Sequence, residues 1–257
     1  MIVLSDKSSA IDLDRKDTWP REIFARLGQH IPEIAAEKAA QNQFDLSDDR
    51  WTKPCPQCPR TDEALWVIKQ VMSDRILRVF HATRLLDPNA LTQGGLLSLS
   101  LSRQISLVRD ELVRRGWQDA IIEFDEVVNE TDLESRSFAI REKQVWFTPM
   151  RRLLHDGGCD VFFEHFGGEA IQRLTQSKTT LAKAIRSIGD PAVVVGNIPA
   201  FGICLFGDYR VAPAMLSLML EDAGFNFCVE SWDVLLKRDV PPEWIEAILP
   251  HDHPDVA

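Results

Sequence analysis

Arg75-Ile-Leu-Arg-Val-Phe-His-Ala-Thr-Arg84 is where the period of this 257-residue chain changes. Ile76, Leu77, Val79 and Phe80 run almost unbroken, the pattern of a buried strand rather than of an amphipathic helix. The run ends in His81, Thr83 and Arg84, so the strand delivers polar groups at its terminus. Strand side chains alternate, which puts His81 and Thr83 on one face, at the edge of a pocket. Leu86-Asp-Pro-Asn-Ala-Leu-Thr-Gln-Gly-Gly-Leu96 then reads as a short helix. Asp87 caps it, Pro88 takes the first helical position, and Gly94 or Gly95 stops it.

Upstream the period is helical. Trp19 to Leu27 predicts a helix with Pro20 near its start, and a second helix covers Pro32 to Asn42. Pro54, Pro56 and Pro59 exclude a helix interior or a central strand around Cys55 and Cys58. A third helix, Asp62 to Met72, has a broad apolar face for docking. Downstream come helices over Ser102 to Gly116 and Asp119 to Asn129, and a strand over Lys143 to Pro149. An aromatic-rich run from Val161 enters a helix through Gly167-Gly168. A buried strand covers Ala192 to Pro199, a helix Ala212 to Ala223, and a strand pair Phe225 to Lys237. Val240 to Ile248 is an extended dipeptide and turn leading to a last strand or helix. The expected organisation is a helical segment over 1–74, an α+β domain over 75–250 and a disordered tail over 251–257.

Composition narrows the function. Thirty-nine acidic against 29 basic side chains give a formal charge of -10, so the average surface repels phosphate backbones and anionic membranes. Arg114-Arg115 and Arg151-Arg152 are too small for a nucleic-acid footprint. The opening Met1-Ile-Val-Leu is too short for a secretory core, and Ala192 to Gly207, the longest uncharged stretch, is too short and too broken to span a bilayer. Five cysteines, an odd number in mostly apolar surroundings, fit free thiols in a cytoplasmic protein. Phosphate loops, nucleophile elbows, His-Glu-x-x-His and Gly-x-Gly-x-x-Gly fingerprints are missing from the sequence.

The strand ending in His81-Ala-Thr83, followed by a helix and Gly95-Leu96, resembles the ADP-ribosyltransferase-like fold, whose first strand ends in His plus Thr or Ser. Three later stretches fit the same order. Val145-Trp-Phe-Thr148 looks like the family's second strand, and Val234-Leu-Leu to Pro-Glu-Trp-Ile245 looks like its closing strand and exit. Phe163-Glu-His-Phe-Gly-Gly-Glu169 is similar to an element of uncharacterised bacterial relatives. The resemblance spans roughly residues 76 to 249. It implies an α+β, split β-sheet core that binds NAD as substrate, with His81, Thr83 and Arg84 on the ribose side and Phe147 and Thr148 near the nicotinamide.

Cleavage of the nicotinamide-ribose bond leaves positive charge on the ribose, and a fixed carboxylate beside it stabilises that state. Glu230 and Asp233, both ahead of Val234, and Glu169, at a helix start, are the candidates that the resemblance allows. ADP-ribose would pass to an unidentified acceptor, and a toxin or defence role is implied by analogy alone. An alternative is a non-catalytic binding or immunity-type protein on the same scaffold, recognising a basic partner through its acidic surface. Each site residue has a structural reading too. His81 can be a core histidine, Thr83 a cap, and Glu169 a charge on a helix N-terminus. Cys55 and Cys58 have metal-knuckle spacing, but no second Cys pair follows, so no metal is assigned; a zinc-built interaction module stands as the weakest option.

Overall fold

The computed structural model describes residues 10–47, 54–139, 141–155, 157–200, 207–225 and 233–256. Within them the architecture is α+β. Three helices come first: α1 (Arg21–Leu27), α2 (Ile31–Asp45) and α3 (Pro59–Met72). Strand β1 (Ile76–Leu85) follows, then α4 (Pro88–Gly94), α5 (Leu101–Arg114), α6 (Gln118–Glu130) and the single turn α7 (Arg136–Ala139). After β2 (Val145–Phe147) come α8 (Gly157–Glu164), α9 (Gly168–Thr175) and α10 (Thr179–Arg186). The chain closes with β3 (Asp190–Pro199), α11 (Gly207–Asp222), β4 (Val234–Leu236) and β5 (Ile245–Pro250).

The strands form two small antiparallel sheets, one ordered β1-β3-β5 and the other pairing β2 with β4. β1 and β3 are the long strands, ten residues each, and pair His81 with Val194 at their middle. One backbone exchange, between Phe80 and Thr148, ties the sheets together. The end of α4 is fixed as its sequence implies. Asp87 accepts the Asn89 N–H at 2.9 Å, and Gly95 adopts φ 78°. A Cβ at Gly95 would collide with the Val240 carbonyl oxygen, because Leu96 and Val240 exchange both backbone bonds beside it.

Three apolar clusters surround this framework. The largest runs from Ile11, Trp19 and the helices α1 to α3 through Leu77 and Val79 of β1 into α11 and β4. A second joins α5, α6, α9 and α10 around Phe124 and Ile171. The third packs Phe80 and Ala82 against Leu154, Val193, Val195 and Val256. The first residues described also lie on the sheet. Ile11 takes the outer edge of β1, and buried Asp12 receives Arg151 Nη2 at 2.6 Å and Arg78 Nη1 at 3.5 Å.

The tail departs from its expected disorder. Val256 is buried in the third cluster, and its carbonyl accepts a 2.8 Å bond from His155 Nε2. A short charged tail can be ordered when one apolar residue finds a cavity in the core. Of the expected strand pair over Phe225 to Lys237, β4 is formed, and 226–232 lie outside the described residues, as do Cys204 and Cys228. Among the described residues no helix is long and apolar enough to cross a membrane.

Candidate functional site

β1 is an edge strand, and its free side makes the site. Its even-numbered residues aim their N–H and C=O away from β3. The Ile76 C=O accepts the Ile11 N–H, the Arg78 N–H donates to the Ile11 C=O, and Phe80 exchanges two 2.8 Å bonds with Thr148. Beyond Phe80 the pairing stops. Among the described residues no backbone group meets the outward N–H and C=O of Ala82. There β1 and β2 part, and the gap opens into a cavity of about 590 Å³. β1 lines it with Phe80 to Thr83, and the β2 side with Gln144 to Thr148. Leu96, Leu97 and Leu99 form one wall, Cys159 and Phe162 of α8 another, and Glu169 and Asp233 add carboxylates.

His81 stands at the fork. Its Nδ1 lies 2.7 Å from the Trp146 carbonyl oxygen, which can only accept, so Nδ1 carries the proton. A neutral ring then presents Nε2 as an acceptor. Burial pulls the imidazole pKa below the ordinary histidine value, with the Trp146 bond opposing, so the neutral form prevails around pH 7. Thr83, two residues on, brings its hydroxyl to the same cavity. Thr148 also lines it, but donates its hydroxyl to Met150 O at 3.1 Å and holds the two sheets together through its backbone.

Phe147 lines the cavity without offering it an open face. Its ring is 3% exposed, belongs to the main core and meets His81 edge-on, centroids 5.7 Å apart. The aromatic with an open surface is Trp146, 36% exposed. Alternation along β2 gives Gln144, Trp146 and Thr148 one parity and the buried Val145 and Phe147 the other. Alternation separates Trp146 from Phe147, and the packing decides that Trp146 carries the open aromatic face.

The carboxylates differ. Glu169 receives Arg141 through a bidentate pair at 2.8 and 2.9 Å and Arg173 at 2.7 and 3.0 Å. Burial works to raise its pKa, but the two guanidinium groups outweigh it and hold the carboxyl below the usual range. Its charge is already spent on two cations. Asp233 lines the cavity at the foot of β4. Glu230 lies outside the described residues.

Arg84 does not join the others. Its guanidinium donates to the carbonyls of Phe163 at 2.6 Å, Ile188 at 2.8 Å and Gly189 at 2.5 Å, locking α8 and the turn before β3 onto β1. Position 84 has the parity of Phe80 and Ala82, not that of His81 and Thr83, which is why a strand-end arginine becomes a structural tie. The structure thus gathers His81, Thr83, Phe147, Thr148, Glu169 and Asp233 around one cavity. It adds Trp146, from the Val145-Trp-Phe-Thr148 stretch itself, and Gln144, Gln104 and Arg141, which the sequence did not single out.

The cysteine loop is remote from this site. Cys58 Sγ lies 3.8 Å from Glu37 O, and burial with the nearby Glu37 charge pushes its thiol pKa up, toward the unreactive form. Among the described residues no group of three His, Cys, Asp or Glu side chains could hold a metal ion. Comparison with protein-family models, with curated proteins and with solved structures finds no match to this chain.

Proposed function

We propose that the cavity binds NAD and that the protein cleaves the nicotinamide-ribose bond, passing ADP-ribose to an acceptor or to water. The observation that carries this is the fork between β1 and β2. It brings the His81 Nε2 acceptor, the Ala82 edge, unpaired among the described residues, the open Trp146 face and the Asp233 carboxylate to one cavity large enough for an extended ligand. The nicotinamide carboxamide has one donor and one acceptor, the complement of the Ala82 C=O and N–H. The pyridinium ring stacks on Trp146, and the His81 Nε2 accepts a hydrogen bond from a ribose hydroxyl.

In the reaction the bond between ribose C1′ and the pyridinium nitrogen breaks, and its electron pair neutralises the departing nicotinamide. The positive charge moves to C1′ and the ring oxygen. A carboxylate already ionised and fixed beside that carbon stabilises the charge as it develops, which is differential binding of the transition state. Asp233 is assigned that role because it lines the cavity at the foot of β4, and Glu169, held by Arg141 and Arg173, is assigned the positioning of Arg141. The nucleophile, an acceptor group or water, adds to C1′ and gives up its proton.

Incubation of the purified protein with NAD, products resolved by mass, tests this. Release of nicotinamide that His81→Ala and Asp233→Asn both abolish, with folding intact by circular dichroism, is the expected result. Absence of both NAD binding and turnover in the wild type overturns it. That outcome favours a non-catalytic protein whose acidic surface, formal charge -10, recognises a basic partner.

A further inference from the structure

We infer that Gln144, assisted by Gln104, reads the adenine base of the dinucleotide and makes the cavity selective for adenine; this rests on the NAD reading of the same site. Two side-chain amides line the cavity. The Oε1 atoms of Gln144 and Gln104 are both buried without a hydrogen-bond partner among the described residues. Gln144 is only 8% exposed. A buried amide oxygen left unpaired is destabilising, and these two line the cavity, where a ligand that donates a hydrogen bond would satisfy them.

The backbone around Gln144 is built to hold it there. Lys143 adopts φ 59°, the left-handed region that a residue with a Cβ seldom enters. Lys143 N donates to Leu99 O at 2.7 Å, and Leu99 N donates to Gln144 O at 2.9 Å, which pinches the 96–99 loop against the start of β2. The same loop is anchored from its other side. Asp239 accepts Ser98 N and Ser98 Oγ, both at 2.7 Å, and Leu96 exchanges backbone bonds with Val240. Gln144 therefore lines the cavity from a braced wall. Its neighbours Leu97 and Leu99 offer apolar surface for the faces of a flat ring.

The chemistry selects the base. A carboxamide presents a donor and an acceptor in one plane, and its complement is the N6–H and N7 edge of adenine, which Gln and Asn bind through two bonds. NAD carries one other amide-like group, the nicotinamide carboxamide, and the Ala82 edge already complements that. On the same base edge hypoxanthine presents two acceptors, O6 and N7, and a single amide cannot satisfy both.

Calorimetric titration with NAD, nicotinamide hypoxanthine dinucleotide and nicotinic acid adenine dinucleotide tests the assignment, on the wild type, Gln144→Met and Gln104→Met. The wild type should bind NAD about 5- to 100-fold more tightly than the hypoxanthine analogue. Gln144→Met should erase that preference, and Gln104→Met should reduce it. Thermal unfolding of Gln144→Met without ligand supplies a second readout. Its midpoint should be equal or higher, since the variant removes an unpaired buried amide, so weakened binding cannot be ascribed to failed folding. Equal affinity of the wild type for the two purine forms, or a preference that survives in Gln144→Met, overturns the assignment and leaves the NAD reading intact. Loss in Gln144→Met of discrimination against the nicotinic acid form, with the purine preference unchanged, also overturns it and gives the amide to the other end of the ligand. Failure of the wild type to bind any of the three removes both.

Discussion

At the scale of single residues, the site depends on which atom of a side chain is already engaged. His81 spends Nδ1–H on the Trp146 carbonyl and keeps Nε2 as an acceptor, while burial holds the ring neutral. A ring whose folded pKa lies below its unfolded value contributes stability that is fully present above about pH 6.5 and is lost as pH falls through the folded pKa. NAD turnover should therefore be flat from about pH 8 to 6.5 and decline only below that. His81→Ala should weaken NAD binding by about tenfold or more, measured by calorimetry at pH 7.5, because the ribose hydroxyl loses its partner. For Glu169→Gln, we expect a smaller loss of binding and a turnover that is reduced, not abolished, since the substitution loosens Arg141 and leaves Asp233 in place. A complete loss of turnover in folded Glu169→Gln, with Asp233→Asn still active, would exchange the roles of the two acids.

Elements position these atoms by stopping where they do. β1 outruns its partner on the free side, so among the described residues pairing ends at Phe80 and Ala82 is left open. The opposite wall is held by the bonds of the 96–99 loop to Gln144, Asp239 and Val240. The Ser98 amide and hydroxyl keep the Asp239 carboxyl below the usual carboxylate range. Their contribution is present above about pH 4 and is lost as pH falls through the folded pKa. Asp239→Ala should reduce ligand affinity several-fold while shifting the unfolding midpoint little, because it frees a surface loop rather than the core. Gly95→Ala is expected to be far more harmful. Its methyl group would meet the Val240 carbonyl oxygen at a positive φ, and equilibrium urea unfolding should show a loss of about 2 kcal/mol or more. The Gly95-Leu96 pair and the Asp87-Pro88 start were legible in the sequence because capping and left-handed glycines act over a few residues.

For the whole molecule, the helices ahead of β1 and the sheet share one core. Ile11, Trp19, Ile68 and Met72 sit in the same cluster as Leu77, Val79 and residues of α11. A chain beginning at residue 75 should therefore fail to fold cooperatively, while the full chain unfolds in a single urea transition followed by circular dichroism and tryptophan fluorescence. Two resolved transitions would mean that the N-terminal helices are a separable unit. The sequence by itself determined the α+β class, the main helices and strands, the Asp87 cap and the polar end of β1, since these follow from periodicity and from turn and cap chemistry within a few residues. It could not decide that Arg84 would bind three carbonyls, that Trp146 and not Phe147 would show an open face, or that Gln144 and Gln104 would reach the same cavity unpaired. Those outcomes depend on pairings between residues far apart in the chain, Phe80 with Thr148 and Leu99 with Gln144. Only tertiary packing chooses which face of a strand meets solvent and which buried polar atom is left without a partner.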